Sequence, residues 1–279
     1  MLGKLIKYDM KSMSRAFVPM WILSPIIALL LSFSIRGAVE WANSPMMGRF
    51  AYFGNNILIV IMVLLFMAAL IGLLVMTIMF VIQRFWNGLL KEEGYLMFTL
   101  PVKVWELIVS KALTATLVAC ISILMGVFSG LILSVFSTQD IIYVFAFIWK
   151  NLLSSFIEVG PIFWLNLFLF MILLVLGTVG SIYHVYAAMS MGHLFATHKV
   201  AGSCLSYIGI SIVMSVLENI VMLIMGYIFP NMGYYWTSYA MLEAMSSLSI
   251  IYMMLVEIIQ IVIFHVITER ILSKKLNLE

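Results

Sequence analysis

From Ile57 to Gln83 the chain runs for 27 residues without one charged side chain. About 20 apolar residues in a helix already cross a hydrocarbon core of roughly 30 Å, so this stretch can span a bilayer with some tilt. A soluble fold has no place for it. The whole chain agrees: its 279 residues are 65% hydrophobic and 10% charged, with a mean hydropathy of +1.17, far from the roughly half-apolar, quarter-charged mix of soluble domains.

Five further apolar runs lie between breakers, which predicts six spans in all: Phe17 to Ile35, Ile57 to Gln83, Ala112 to Phe136, Ile162 to Met191, Ser203 to Phe229 and Ser247 to Ile267. The expected fold is an all-α integral membrane protein, one domain over residues 1–279, because no fixed-period repeat, low-complexity linker or long hydrophilic run separates a second. The first apolar run is long, holds Pro19 and Pro25, and ends without a small-residue cleavage pattern, so it is expected to remain as the first span. Cys120 and Cys204 lie in apolar runs without C-x-x-C spacing and read as packing residues.

Basic residues orient the spans. Lys4, Lys7, Lys11, Arg15, Arg84, Lys91, Lys103, Lys111, Lys199, Arg270, Lys274 and Lys275 fall on one side and Arg36, Arg49 and Lys150 on the other, a split of 12 to 3 among the 15 Lys and Arg. The positive-inside rule then makes both termini cytoplasmic.

Three segments outside the spans are amphipathic or aromatic. On a helical wheel, residues 1–16 place Leu2, Leu5, Ile6, Met10 and Met13 on one side and Lys4, Lys7, Lys11 and Arg15 on the other, the pattern of an interfacial helix, with Asp9 inside the apolar stripe. Asp140 to Glu158 reads as a second interfacial helix on the outer side. Asn231 to Ser246 carries Tyr234, Tyr235, Trp236 and Tyr239, which suit either a belt at the interface or a short re-entrant helix.

No G-x-x-x-x-G-K-S/T is present, so any ATP that drives this protein is bound by another chain. No catalytic pattern stands at membrane depth, and the chain is not expected to be an enzyme. The longest cytoplasmic connection, Arg84 to Lys111, is unusual: a loop that only connects has little reason to carry Tyr95, Leu96, Phe98 and Leu100 into water. Those side chains are expected to dock on a partner or, otherwise, on their own bundle.

The run EEGYLMFTLPV from Glu92 to Val102, then WELIVSK from Trp105 to Lys111, with the basic amphipathic start and the six-span plan, resembles the ABC-2 type permeases, the membrane subunits of bacterial ATP-binding-cassette exporters, above all the compact six-span forms of Gram-positive bacteria. The resemblance implies a permease domain in a bacterial plasma membrane that pairs with a second permease copy or paralogue and with nucleotide-binding ATPase subunits. ATP and magnesium would belong to those subunits, with no cofactor in this chain. It also implies that Glu92, Glu93, Gly94, Tyr95, Leu96, Phe98, Leu100 and Pro101 form a coupling helix seated in a groove of the ATPase. The cargo it implies is apolar or amphipathic: a drug, an antimicrobial peptide or a lipid-like compound. No feature points to nucleic acid.

Two acids lie at membrane depth, Glu218 in the fifth span and Glu257 in the sixth. A carboxylate there costs about 2.5–3.5 kcal/mol on insertion scales, so each must face protein or water. Ser211, Ser215 and Glu218 follow at i, i+4 and i+7 with Asn219 beside them, a polar stripe that reads either as a substrate path or as packing glue. Glu257 shares a face with Gln260 and Thr268, a mainly structural pattern. The alternative to an ATP-driven machine is an ion-coupled secondary transporter in which Glu218, Glu257 and His184 relay protons. His184, His193, His198 and His265 have no metal-ligand spacing, and His193, His198 and Lys199 read as a solvated turn. Gly126 and Gly130 form a G-x-x-x-G that would let helix backbones approach closely. The 23 methionines fit gap filling, or an adaptable lining for apolar ligands.

Overall fold

A computed structural model describes residues 2–42, 49–91, 103–137, 146, 150, 160–195, 198–228 and 247–274. The described residues form six long α-helices and no strand: α1 (Leu2–Ala42), α2 (Arg49–Phe85), α3 (Val104–Phe136), α4 (Gly160–Gly192), α5 (Lys199–Ile228) and α6 (Ser247–Lys274). A π-helical turn, Trp86–Leu90, continues α2. All six helices contain a stretch long and apolar enough to cross a membrane, the pattern of a multi-pass membrane protein. Helix is the form such sequences must take, because hydrocarbon offers no partner to a backbone N–H or C=O. Leu64, Leu74, Phe168, Leu205 and Ile212 are among the many large apolar side chains left exposed, as a chain solvated by acyl chains allows.

The chain divides into two compact units. One comprises Lys7–Phe80 and Leu117–Val159. In it Met13, Phe17 and Val118 are buried together with Met10, Trp21 and Phe80 against them, and Phe17 meets Phe80 edge-on at 5.4 Å. The second core of this unit gathers Ala28, Leu31 and Phe66. Polar side chains tie the helices: the Trp21 indole N–H donates to Ser122 Oγ at 3.1 Å, Thr77 Oγ1 lies 3.2 Å from that same Ser122 oxygen, and the Ser24 and Ser129 hydroxyls are 3.2 Å apart.

Helix α1 runs unbroken through Pro19 and Pro25. Proline inside a membrane helix is tolerated where neighbours and hydroxyls re-satisfy the freed backbone groups. Further along the same helix Met13 and Phe17 are buried while Lys7, Lys11 and Arg15 are exposed. Asp9, the misfit in the amphipathic pattern, lies on this buried side: it is 4% exposed and partnered. Gly126 and Gly130 host no close approach, since among the described residues nothing lies within 4 Å of where their Cβ atoms would be.

The other unit comprises Met1–Ile6, Val81–Thr116 and Gly160–Glu279. Here α4 packs against both α5 and α6. Its core joins Phe85, Leu89 and Leu90 at the end of α2 and its π turn, Leu107, Ile108 and Ala115 in the first turns of α3, and Tyr186 and Ala187 of α4. Tyr186 stacks on Phe85 at 4.1 Å. Helix α3 starts at Val104, eight residues ahead of the sequence-based start at Ala112. Lys111 is the reason for the difference: its charge reads as a boundary, yet the residue is 2% exposed, its stem laid over Gly88, whose missing Cβ would stand 3.4 Å from Lys111 Cε. Long basic side chains bury their methylenes in this way.

Candidate functional site in the α4–α6 bundle

The ionisable residues singled out at membrane depth all fall in the unit that holds α4, α5 and α6. His184 of α4 sits between two rings, stacked on Tyr207 of α5 at 4.5 Å and on Phe264 of α6 at 5.1 Å, both within 20° of parallel. Ser211 Oγ lies 3.5 Å from His184 Nε2 and donates to the Tyr207 carbonyl at 2.8 Å. The imidazole is thus held by its faces and touched at one nitrogen, a satisfied bundle residue at the junction of three helices.

About seven residues further along α5, roughly 10 Å at 1.5 Å per residue, Glu218 Oε1 accepts a 2.7 Å hydrogen bond from Gln260 Nε2 of α6. Glu257, one turn before Gln260, turns instead to α4, where Gly177 and Gly180 leave room for its carboxyl. Helix α6 therefore presents one amide to α5 and one carboxyl to α4 from a single turn.

The stripe on α5 does not act as one unit. Ser211 turns to His184, Ser215 and Glu218 are exposed, and Asn219 Nδ2 donates to the Ser215 carbonyl at 2.7 Å. Around them Ile212, Val213, Val216, Leu217 and Ile220 are exposed as well. Glu218 is a carboxyl on the outward face of an apolar helix, held by one bond to α6.

Towards the other end of α6 the ionisable groups continue. His265 meets Tyr183 of α4 edge-on at 5.5 Å, and its Nε2 lies 3.9 Å from Glu269 Oε2. Thr268 shares the buried side but bonds only to the Phe264 carbonyl in its own helix, at 2.7 Å. His193 is not part of a solvated turn: its ring packs edge-on to Trp86 of the π turn at 6.1 Å, and both ring nitrogens are buried. His198 is exposed, as expected of a turn residue. Among the described residues no three His, Cys, Asp or Glu side chains gather as a metal site would require.

Sequence reasoning named Ser211, Glu218, Glu257 and His184, and the structure brings them into one bundle. It passed over Gln260 as a bridge, Tyr207 and Phe264 as the walls of His184, and Gly177 and Gly180 as the seat of Glu257. The residues expected to form a coupling helix, Glu92, Glu93, Gly94, Tyr95, Leu96, Phe98, Leu100 and Pro101, lie outside the described residues. So do the aromatic segment Asn231 to Ser246 and the outer helix expected over Asp140 to Glu158, apart from Ala146 and Lys150, which are helical and exposed. Compared with protein-family models, with curated proteins and with solved structures, the chain matches none.

Proposed function

We propose that this chain is the permease subunit of an ABC-2 type exporter. It pairs with a second copy or paralogue and with nucleotide-binding ATPase subunits, and moves an apolar or amphipathic compound across a bacterial plasma membrane, with both of its termini cytoplasmic. The observation that carries the reading is Glu218, exposed on the outward face of α5 with Ser215 beside it. A carboxyl at membrane depth needs protein or water against it, and a path between two permease subunits supplies both. The charge-poor helices suit an apolar or amphipathic cargo.

Support for the coupling role comes from the flanks of the Glu92–Pro101 segment. The π turn that leads into it and the first turns of α3 that follow it lie in the most deeply buried core of their unit, with Phe85, Leu89 and Ile108 fully enclosed. A pull on the segment would act on packed helix ends rather than on slack chain, and packed cores pass movement on as rigid bodies. The test is a charge placed in the segment. Leu96→Glu or Phe98→Glu is expected to abolish transport and substrate-stimulated ATP hydrolysis while membrane insertion stays normal. Unchanged transport in both variants sinks the proposal, as does failure of an ATP-binding subunit to co-purify with the wild-type chain.

A second reading, an ion-coupled carrier, draws on the Gln260–Glu218 bond and the contact of His184 with Ser211. It requires transport by the chain alone in proteoliposomes under a pH gradient; absence of such transport removes it.

A further inference from the structure

Helix α1 carries two kinds of surface on one face. It is a single helix of 41 residues, roughly 60 Å at 1.5 Å per residue, and the stretch suited to cross the membrane is Phe17–Gly37. The turns before Phe17 therefore carry the same faces beyond the hydrocarbon. Lys7, Lys11 and Arg15 follow at i, i+4 and i+8, and Val18, Ile22 and Ile26 continue the row at i+11, i+15 and i+19, within an arc of about 100° at 3.6 residues per turn. All six side chains are exposed, while Met13, Phe17, Ala28 and Leu31 on the other side are buried. The whole row lies in one compact unit. Among the described residues none of its three cations makes an ion pair. Asp9, the only acid before Glu40, is buried, so helix α1 offers the row no counter-charge. Unpaired cations directly above an exposed apolar strip suit a ligand that joins an anion to acyl chains.

We propose that this face of α1 binds an anionic phospholipid. The acyl chains lie along Val18, Ile22 and Ile26, and the phosphate sits between Arg15 and Lys11. Arg15 stands about 3 Å along the axis outside Phe17 and Lys11 about 9 Å, which brackets a headgroup layer roughly 5–7 Å thick. The guanidinium of Arg15 grips two phosphate oxygens at once, and the Lys11 ammonium adds a point charge. Lys7, about 15 Å out, contributes through its field alone and therefore least. A phospholipid fits better than a free anion because the charges end where the apolar row begins. One unbroken helix carries both halves of the site, so a lipid held there fixes the depth of α1 in its leaflet. The site requires only that α1 crosses a bilayer and is independent of the exporter reading.

The test uses the full chain reconstituted in phosphatidylcholine vesicles that hold a small share of spin-labelled phosphatidylglycerol or, in a parallel sample, spin-labelled phosphatidylcholine. Electron spin resonance separates label held against the protein from label in free bilayer. Phosphatidylglycerol should be held at least about fivefold more strongly, the contribution of one basic residue near an anionic lipid. The preference should shrink between about 0.1 M and about 1 M salt, as the Debye length falls from roughly 10 Å to roughly 3 Å. Arg15→Gln should remove most of it, Lys11→Gln less and Lys7→Gln least. Lys91→Gln combined with Lys103→Gln, which removes exposed cations elsewhere on the chain, should leave it unchanged. If Arg15→Gln does not insert, Arg15→Lys, which keeps the charge and loses the two-point grip, should give an intermediate preference. Equal holding of the two lipids overturns the site, and so does a loss in the Lys91 and Lys103 variant equal to that of Arg15→Gln, which would mean diffuse charge. Displacement of the label by millimolar inorganic phosphate overturns it as well, in favour of a free anion. No ATPase enters these measurements, so their failure would leave the exporter reading standing, and failure of that reading would leave the lipid site.

Discussion

Hydroxyls and an indole tie the helices of one unit, and ionisable side chains tie those of the other. Around Ser122 the partners are Trp21 and Thr77, all neutral at any pH a cell meets. Around α6 they are Glu218, Gln260, Glu257 and His184. Both arrangements meet the same demand, that polar atoms inside a bilayer find partners. They differ in what can be done to them. A hydroxyl tie is fixed once folded, whereas a carboxyl held in hydrocarbon can change charge, at a cost of kilocalories, and its neighbours must then rearrange. Function that needs two states is better placed in the second kind of bundle.

The largest expected effect tests whether the α4–α6 unit rests on its packed core or on its polar ties. Tyr186→Ala removes the ring stacked on Phe85 in a fully buried site. Because lipid is as apolar as the interior, the loss is mainly the cavity term, about 2–3 kcal/mol at roughly 24 cal/mol per Å³. Thermal unfolding of the purified chain measures it, and a loss below that from Ser211→Ala, which removes the hydroxyl beside His184, would mean that the polar ties dominate.

Next comes a change of opposite sign. Glu218→Leu should favour the membrane-inserted state by on the order of 2 kcal/mol, the charge penalty less the lost bond to Gln260, while transport fails. An insertion assay beside a transport assay reads both. If the substitution destabilises the chain, Glu218 belongs with the structural ties of the other unit and the contrast collapses.

The number of spans was legible in the sequence because apolar length alone decides it: the unbroken run after Ile57 leaves no other choice. Helix ends were less legible. Lys111 looks like a boundary because charge is what a hydropathy scan sees, and only the tertiary fold shows its stem lying over Gly88. Asp9 looks like an error in an amphipathic pattern, yet it is buried, as are Met13 and Phe17 in the same helix. For the candidate site, composition flagged Glu218 and Glu257 by their depth, but their different partners were hidden, since Gln260 reaches α5 and Glu257 reaches α4 only after the bundle has formed. The glycine spacing that drew notice, Gly126 with Gly130, packs against nothing described, whereas Gly177 and Gly180, which fit no familiar spacing, receive the carboxyl. A small residue matters through what fills the room it leaves, and that filler lies far along the chain.

The smallest expected effect bears most directly on the contrast. Ser122→Ala takes away the acceptor of the Trp21 N–H and the neighbour of Thr77. Thr77 keeps its bond to the Leu73 carbonyl at 2.7 Å, so the loss should be close to that of one interhelical hydrogen bond in a membrane, about 0.6 kcal/mol and no more than roughly 1.7. The decisive reading is its pH dependence rather than its size. Neither the indole nor a hydroxyl titrates between about pH 5 and about pH 9, so the Ser122→Ala deficit in thermal stability should be the same at every pH. A Ser122→Ala deficit that varied with pH would mean that a titratable group takes part in this tie, and the contrast with the carboxyls of α5 and α6 would fail.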